Sequence, residues 1–390
     1  MNKNILPDAA RQEENILAFD YLKTFIVTLV VFHHSILAYT TFFTFNNSYL
    51  VAGIIPYTNL INPIIDSTKW KGFDLMVIFN DNFFMSLLFF ISGFFVWKSL
   101  NRKGIRKFLH ERLLRLGVPF IIGVPLIAPL SYYVGHLQNA LVTGESIGYI
   151  EFWSIFAKAN FFTSGPLWFL WVLLLFNLII VLLFKIIPNL DNKIKSLPKH
   201  LFNKTTVLVG SLMAASMLAF FSLTFLFDLN AWIGIGPFVL QPVRILHYFV
   251  YFVFGVLIGT YGIDKTTFHL ESNISKYWWL FIGLGTPTAL LLIPFSRITY
   301  PISCILIVLG VIGFFLCYTK KNIGIVDNLS ENIYGIYIFH YIFTSWLQFF
   351  FLEIQIPAIM KGTLVFIGSL LLSWALTILI RRIPIVARFI

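Results

Sequence analysis

The sequence predicts an all-α integral membrane protein, a polytopic bundle of about ten transmembrane helices with both termini in the cytoplasm. Three observations predict it. The chain of 390 residues is 58% hydrophobic and only 12% charged, whereas about a quarter of a soluble domain is charged. The charges are clustered, and between the clusters run apolar stretches of about 18 to 25 residues, enough to cross a hydrocarbon core roughly 30 Å thick at about 1.5 Å per residue. Lys and Arg gather on alternate connections, the orientation signal of a membrane protein. A single domain over 1–390 is expected, with a polar cytoplasmic segment at 1–19 and the ten-helix bundle at 20–386.

The segment from Met1 to Phe19 is polar and mixed in charge, with no small-residue cleavage site after a short apolar core. The apolar run from Tyr21 to Phe45 is too long for a signal peptide and reads as an uncleaved first helix. The predicted spans are 20–44, 74–98, 113–134, 166–187, 205–227, 238–261, 277–294, 299–318, 332–352 and 362–386. A helix satisfies its own backbone hydrogen bonds, as hydrocarbon demands. The seventh and eighth spans meet at a turn between Pro294 and Pro301. Two long outer segments, 45–73 and 135–165, are rich in Tyr, Trp, Asn and Ser. They are expected to lie on the membrane surface or to cap a cavity.

With the N-terminus inside, the inner connections hold Lys98, Arg102, Lys103, Arg106, Lys107 and Arg112, then Lys185, Lys193, Lys195, Lys199 and Lys204. Further along come Lys265 and Lys276, then Lys320 and Lys321, then Arg381, Arg382 and Arg388. The outer loops keep only Lys69, Lys71, Lys158, Arg297 and Lys361. The net charge of +11 therefore points to the lipid bilayer as partner and not to nucleic acid, because the basic residues sit at the ends of apolar stretches. Cys304 and Cys317 fall on one apolar helix, about 20 Å apart along it, which excludes a disulfide between them.

Ionisable residues inside a span are costly and face a cavity or a partner. Lys23 and His34 of the first helix are eleven residues apart. At about 100° per residue they share one face, separated by about 16 Å along the axis. Lys23 is expected near the cytoplasmic headgroups and His34 near mid-membrane, with His33 pointing about 100° away. Ser92 and Gly93 form a small notch in the aromatic second helix, while Asp74 and Asp81 at its outer end read as solvated. Arg112 and Arg115 share a face at the cytoplasmic mouth of the third helix. They are either orientation anchors or a phosphate site, since guanidinium forks match phosphate oxygens.

Gln241, Arg244 and His247 recur at i, i+3 and i+6 from the outer end of the sixth helix, either as a pocket open to the outside or as a snorkelling anchor. Tyr334, Tyr337 and His340 are spaced along the ninth, where the aromatics suit packing and the imidazole is unusual at depth. The run GPLWFLW opening the fourth span reads as an interfacial anchor. Gly255 and Gly259 read as a close-packing pair. There is no P-loop and no HExxH. No Cys/His cluster has metal-ligand spacing, so no metal site is expected.

Taken together, these stretches resemble acyltransferase family 3 of bacterial membrane proteins over nearly the whole chain. The most specific element is a basic residue, ten intervening residues and a histidine in the first helix, here Lys23 and His34. LFFISGFFVW resembles the family's FFxxSGF-type element and RLLRLGVPF its RxxRL element. GPLWFLW is similar to its LWFL element, and SENIYGIYIFHYIF to its late SxxIYxxH segment. HHSILAY and RILHYFVYFVFGVLIG are most similar to the glucan-biosynthesis-protein-C-like branch. Some members carry a C-terminal extracytoplasmic SGNH-type esterase domain. This sequence ends just after its tenth predicted helix, so the mechanism is expected to be complete within the membrane domain.

The resemblance implies a membrane O-acyltransferase of the bacterial cytoplasmic (inner) membrane. It would move an acyl group from cytoplasmic acyl-CoA to a hydroxyl of an extracytoplasmic glycan or glycolipid, with acyl-CoA as co-substrate and no permanently bound cofactor. His34 is then catalytic, a neutral imidazole that takes the acceptor's proton as its oxygen attacks the thioester, with or without an acyl-imidazole intermediate. Lys23, Arg112 and Arg115 would hold the CoA phosphates. Ser92, Tyr337 and His340 would position substrate, and Arg244 and His247 would line the acceptor's approach. His33 should matter less than His34. Acetyl and succinyl groups both fit, and the oligomeric state stays open. The rival class is a transporter or flippase of a polar lipid or lipid-linked sugar, without acyl transfer, since buried His and Arg in a two-sided cavity serve that too. A structural subunit of a glycan-export complex would leave His34 and His340 unexplained.

Overall fold

A computed structural model describes residues 8–43, 63–158, 164–269, 271–291 and 296–390. The first seven residues, most of the outer segment predicted at 45–73, and the start of the Pro294–Pro301 turn lie outside the described residues. In chain order the helices are α1 (Asp8–Leu37), α2 (Lys71–Arg112), a π-helical turn (Leu113–Gly117), α3 (Val118–Thr143), α4 (Tyr149–Lys158) and α5 (Trp168–Ile186). Short α6 (Leu190–Lys195) and α7 (His200–Asn203) lead to α8 (Thr205–Thr224). A two-stranded antiparallel hairpin, β1 (Ile233–Ile235) and β2 (Phe238–Leu240), pairs Ile233 with Leu240. Then follow α9 (Pro242–Tyr261), α10 (Asn273–Lys276), α11 (Trp278–Leu291), α12 (Ser296–Tyr318), α13 (Gly324–Phe350) and α14 (Ala358–Arg381).

Among the described residues, seven helical segments are long and apolar enough to cross a membrane. Large apolar side chains such as Ile121 and Leu218 stand on the outside, 70% and 75% exposed, the surface expected of a protein solvated by lipid. The chain is an all-α, multi-pass membrane protein. The difference between seven and the expected ten or so has local causes. Lys71–Thr143 is one helical run of 73 residues, because the basic connection predicted between the second and third spans is itself helical. That run breaks at Gly104, whose φ of 74° and ψ of 162° are conformations that a Cβ disfavours. Helix α11 has 14 residues, about 21 Å, which is short of a hydrocarbon core roughly 30 Å thick. Helix α13 carries Asp327 and Glu331 in its first turns. Pro301, expected in a turn, lies inside α12.

Prolines decide where the helices reach each other. Pro119 has no N–H, so the π turn leaves the Arg115 carbonyl without its i+4 donor. The Tyr334 hydroxyl of α13 donates to that carbonyl instead. Pro129 likewise frees the Pro125 carbonyl, and the indole N–H of Trp153 on α4 donates to it at 2.7 Å. Each missing backbone bond thus becomes a tie between elements, as burial without water requires.

The most extensive helix contact joins α2 to α9. A Cβ added at Gly93 would sit 2.1 Å from the Phe252 carbonyl oxygen, and one at Gly255 2.1 Å from that of Phe90. The small residues of both helices therefore set the backbone separation. Gly255→Val is expected to cost about 1–3 kcal/mol or more through overpacking. It should lower the thermal midpoint of the detergent-solubilised protein. Gly210→Val should leave it unchanged, since a Cβ there meets open space.

Helix α1 ends at Leu37, seven residues short of the predicted 44. The Thr40 hydroxyl donates to the Leu37 carbonyl at 2.8 Å, capping an orphan acceptor. Residues 64–70 then lie across that helix end as a strap. Asp66 N–H donates to the Ala38 carbonyl at 3.1 Å and Trp70 N–H to that of Tyr39 at 3.0 Å. The Lys69 ammonium also reaches the Ala38 carbonyl. Burial draws that ammonium below its ordinary range, and Asp66 and Asp74 oppose the shift. Gln138 of α3 grips Ile65 by both its N–H and its carbonyl. Lys361 of α14 pairs with Asp66 at 2.7 Å, with both side chains buried.

Candidate functional site: a two-histidine cavity and a basic pocket

A cavity with a volume of about 590 Å³ lies among the helices. Its floor and walls come from α1 (Val30, His33, His34), α2 (Asp81, Asn82, Phe84), the α5 approach (Gly165, Pro166, Trp168), α9 (Arg244, Tyr248) and α13 (Tyr337, Tyr341). Phe42, Asn230, Trp232 and Ser296 line it as well.

His34 lines this cavity from the last turn of α1. That placement corrects the mid-span position expected for it, because the helix stops early and the strap closes over its end. His34 Nδ1 lies 2.9 Å from the Val30 carbonyl. A carbonyl only accepts, so a neutral ring carries its proton on Nδ1 and presents Nε2 as the acceptor. His340 Nδ1 lies 2.6 Å from the Tyr337 carbonyl, so its proton is placed the same way. The His340 Nε2 lone pair then faces His34 Nδ1–H at 3.4 Å. The Tyr341 ring packs edge-on to His34 with centroids 5.1 Å apart. Gln348 of α13 donates to the His34 carbonyl at 2.8 Å. Helix α13 therefore holds both the ring and the backbone of His34.

Tyr337 lines the cavity, and its hydroxyl donates to the Pro166 carbonyl. The GPLWFLW run, expected as an interfacial anchor, instead supplies cavity wall through Gly165, Pro166 and Trp168.

The wall formed by α2 and α9 carries a polar cluster. Arg244 donates to Asp81 at 2.6 Å and to Asn230 at 3.4 Å, with its guanidinium 5.0 Å from the Tyr300 ring centroid. Asp81, expected to be merely solvated, is thus the counter-ion of a buried arginine. Asp74 binds Thr41 instead. His247 does not line the cavity. It is fully buried behind Arg244, with Nδ1 3.0 Å from the Ser216 hydroxyl of α8. Ser92 is likewise not part of the lining, and its neighbour Gly93 is where α9 packs.

A second pocket lies at the basic end of the bundle. Phe95, Lys98, Ser99, Arg102, Lys103, Glu111, Arg112 and Arg115 line a volume of about 270 Å³. Arg112 and Arg115 thus meet three further cations from across the Gly104 break, with Glu111 bonded to Lys103. Lys23 is not among them. It is half-buried and pairs with Asp20 on its own helix at 3.2 Å. The shared face of Lys23 and His34 holds for an isolated helix but does not bring Lys23 to the arginines. The two pockets share no lining residue. On α13, Tyr334 is bonded to Arg115, which lines the basic pocket, and is one helical turn from Tyr337, which lines the larger cavity.

Among the described residues no three His, Cys, Asp or Glu side chains gather as a metal site. A GxSxG string at Gly144–Gly148 follows a helix on an exposed loop, not the strand of a nucleophile elbow. Asn82, Trp232 and Tyr300 escaped the sequence reading, and Asp81 and Trp168 were given other roles in it. Asp81 carried a signal, a charge placed just inside a span.

The profile of a family described as "Acyltransferase domain" matches residues 16–378. A protein named "Glucans biosynthesis protein C" from Escherichia coli O17:K52:H18 (strain UMN026) is 26% identical over 202 residues, 51% of this chain and 51% of that protein. The protein of the same name from Escherichia coli strain K12 is 28% identical over 147 residues, 37% of this chain and 36% of that protein. The matched region spans about half the length, or less, of these curated relatives. No solved structure matches the chain.

Proposed function

This chain belongs to the acyltransferase family whose profile covers residues 16–378, and from that premise we propose that it is a membrane O-acyltransferase using cytoplasmic acyl-CoA. The acyl group is of acetyl or succinyl type, and the acceptor is a hydroxyl of an extracytoplasmic glycan or glycolipid. The whole chain is one membrane domain of ten crossings in the bacterial cytoplasmic membrane, with both termini inside. The alternation of Lys- and Arg-rich connections supports this orientation. It puts the basic pocket in the cytoplasm and opens the two-histidine cavity outward.

One observation carries the reading: His34 faces a roomy cavity with its Nδ1 committed to Val30, so that Nε2 is the ring's acceptor. An acceptor hydroxyl in the cavity loses its proton to Nε2 as its oxygen bonds to the thioester carbonyl carbon. The tetrahedral intermediate then expels sulfur. The carbon–sulfur bond breaks, the imidazolium returns the proton to the thiolate, and the products are an ester and free CoA thiol. His340 keeps the correct His34 nitrogen protonated. Arg112 and Arg115, with Lys98, Arg102 and Lys103, hold the phosphates of CoA. The acyl-pantetheine arm reaches past Tyr334 and Tyr337, whose hydroxyls bond to backbone carbonyls that can release them. Lys23 is left outside the donor site.

The test is thioester consumption by purified protein in lipid nanodiscs, with acetyl-CoA or succinyl-CoA and an envelope glycan extract. Protein-dependent release of CoA thiol is expected. Binding of the glycan with no thiol release from either donor would favour the transporter reading and overturn this one. Arg112→Gln with Arg115→Gln should raise the half-saturating acyl-CoA concentration roughly 10- to 100-fold, the loss of one charged hydrogen bond or more. An unchanged value would remove the pair from the donor site.

A further inference from the structure

His33 and His34 are adjacent on one helix, and their side chains leave it about 100° apart. Both nevertheless line the same cavity. His34 meets α13 through His340 and Tyr341, while His33 meets α2 through Phe84. The His33 ring stacks on Phe84 with centroids 5.0 Å apart and stands edge-on to His34 at 5.5 Å. The charged groups acting on it are Asp81 and Arg244, the ion pair of α2 and α9. His33 is only 7% exposed, and its Nδ1 has no hydrogen-bond partner. Asn82, which lines the same cavity, is 6% exposed. Its amide N–H₂ donates to Ser303, and its carbonyl oxygen is left without a partner. The indole N–H of Trp232, another lining residue, is also unpartnered.

A buried polar atom left unpaired costs about 1–3 kcal/mol, and native proteins rarely leave several together. Three such atoms, of both donor and acceptor type, belong to residues that line one cavity, and they fit a ligand that offers several hydroxyls. An aromatic or aliphatic residue at position 33 would pack on Phe84 without that cost.

We propose that His33 is an acceptor-binding residue. Together with Asn82, it holds a second hydroxyl of the acceptor beside the one whose proton His34 takes, so the site selects a vicinal diol over a lone alcohol. The inference rests on the acyltransferase reading for the step at His34, but the binding itself does not. Within the reaction, the hydroxyl on His33 stays protonated and forms no covalent bond. Its function is to fix the angle at which its neighbour approaches the thioester.

The experiment uses the full-length protein in nanodiscs with acetyl-CoA and two acceptor probes, methyl β-D-glucopyranoside and ethanol. His33→Phe is expected to raise the half-saturating glucoside concentration at least tenfold. The half-saturating acetyl-CoA concentration should stay within twofold, and the preference for glucoside over ethanol should fall. His33→Gln, which restores a hydrogen-bonding group, should recover much of the glucoside affinity. Equal loss towards both substrates, or no loss, would overturn the proposal while leaving the acyltransferase reading intact. Calorimetric titration of the glucoside into wild-type and His33→Phe protein gives a readout without turnover. Binding that depends on His33 in a protein that releases no thiol would sustain the subsite and overturn the enzyme reading. Wild-type protein that neither binds nor turns over the glucoside would overturn the subsite.

Discussion

His34→Ala protein is expected to insert and fold like the wild type but to release CoA thiol roughly 10²- to 10⁴-fold more slowly, the usual contribution of a positioned general base. The stability side of this expectation is local. Within its own helix the ring is bonded to Val30, one turn back. Helix α13 also keeps its grip on the backbone here, because Gln348 binds the carbonyls of His34 and Ser35 and not the ring. The ring faces a cavity that is already there, so its removal enlarges existing space and creates no new void in the core. The chemical side has no substitute at hand. His340 Nε2 points at His34 Nδ1 from behind, and Tyr337 is bound to Pro166. The measurement is thiol release at saturating acyl-CoA, alongside the thermal midpoint of the same preparation. Turnover near that of the wild type would remove His34 from the chemistry. A collapse in midpoint would make the residue structural.

The second large effect concerns stability. Asp66→Ala or Lys361→Ala is expected to cost about 3–5 kcal/mol, because each leaves a buried charge without the partner it is bonded to. The pair is 2.7 Å apart, with side chains 0% and 1% exposed. It joins the strap to the first turn of α14. The strap in turn covers the end of α1, one turn beyond His34, so the loss should also lower turnover. The paired replacement of Asp66 by Leu and Lys361 by Met removes both charges. It should recover most of the stability, since apolar residues of similar volume often substitute for a buried pair at little cost. Thermal midpoints of the three variants in one detergent check this. Single variants with unchanged midpoints would mean that the pair is not sealed from water in the folded protein.

Much of the architecture was legible because membrane helices announce themselves locally. A run of apolar residues must satisfy its own backbone hydrogen bonds in hydrocarbon, so hydropathy placed a helix near each predicted span. Misplaced boundaries arose where a local signal was ambiguous. The basic stretch 98–112 is charged enough to read as a loop, yet only Gly104 in it is non-helical. The run after Leu37 is apolar enough to read as helix, yet it turns under a strap that hydropathy does not register.

The sequence by itself determined the all-α membrane class, the Lys and Arg asymmetry, and which rare polar residues stand in apolar helices, His34 and Arg244 among them. Only the tertiary structure decided which of these meet. His34 joins His340 from 306 positions away, Arg244 joins Asp81 from 163 away, and Lys23 stays with Asp20 on its own turn. Helical periodicity tells which residues share a face of one helix, but not what is packed against that face. A cavity is the space left where several faces converge, and that is set by packing between segments distant in the chain.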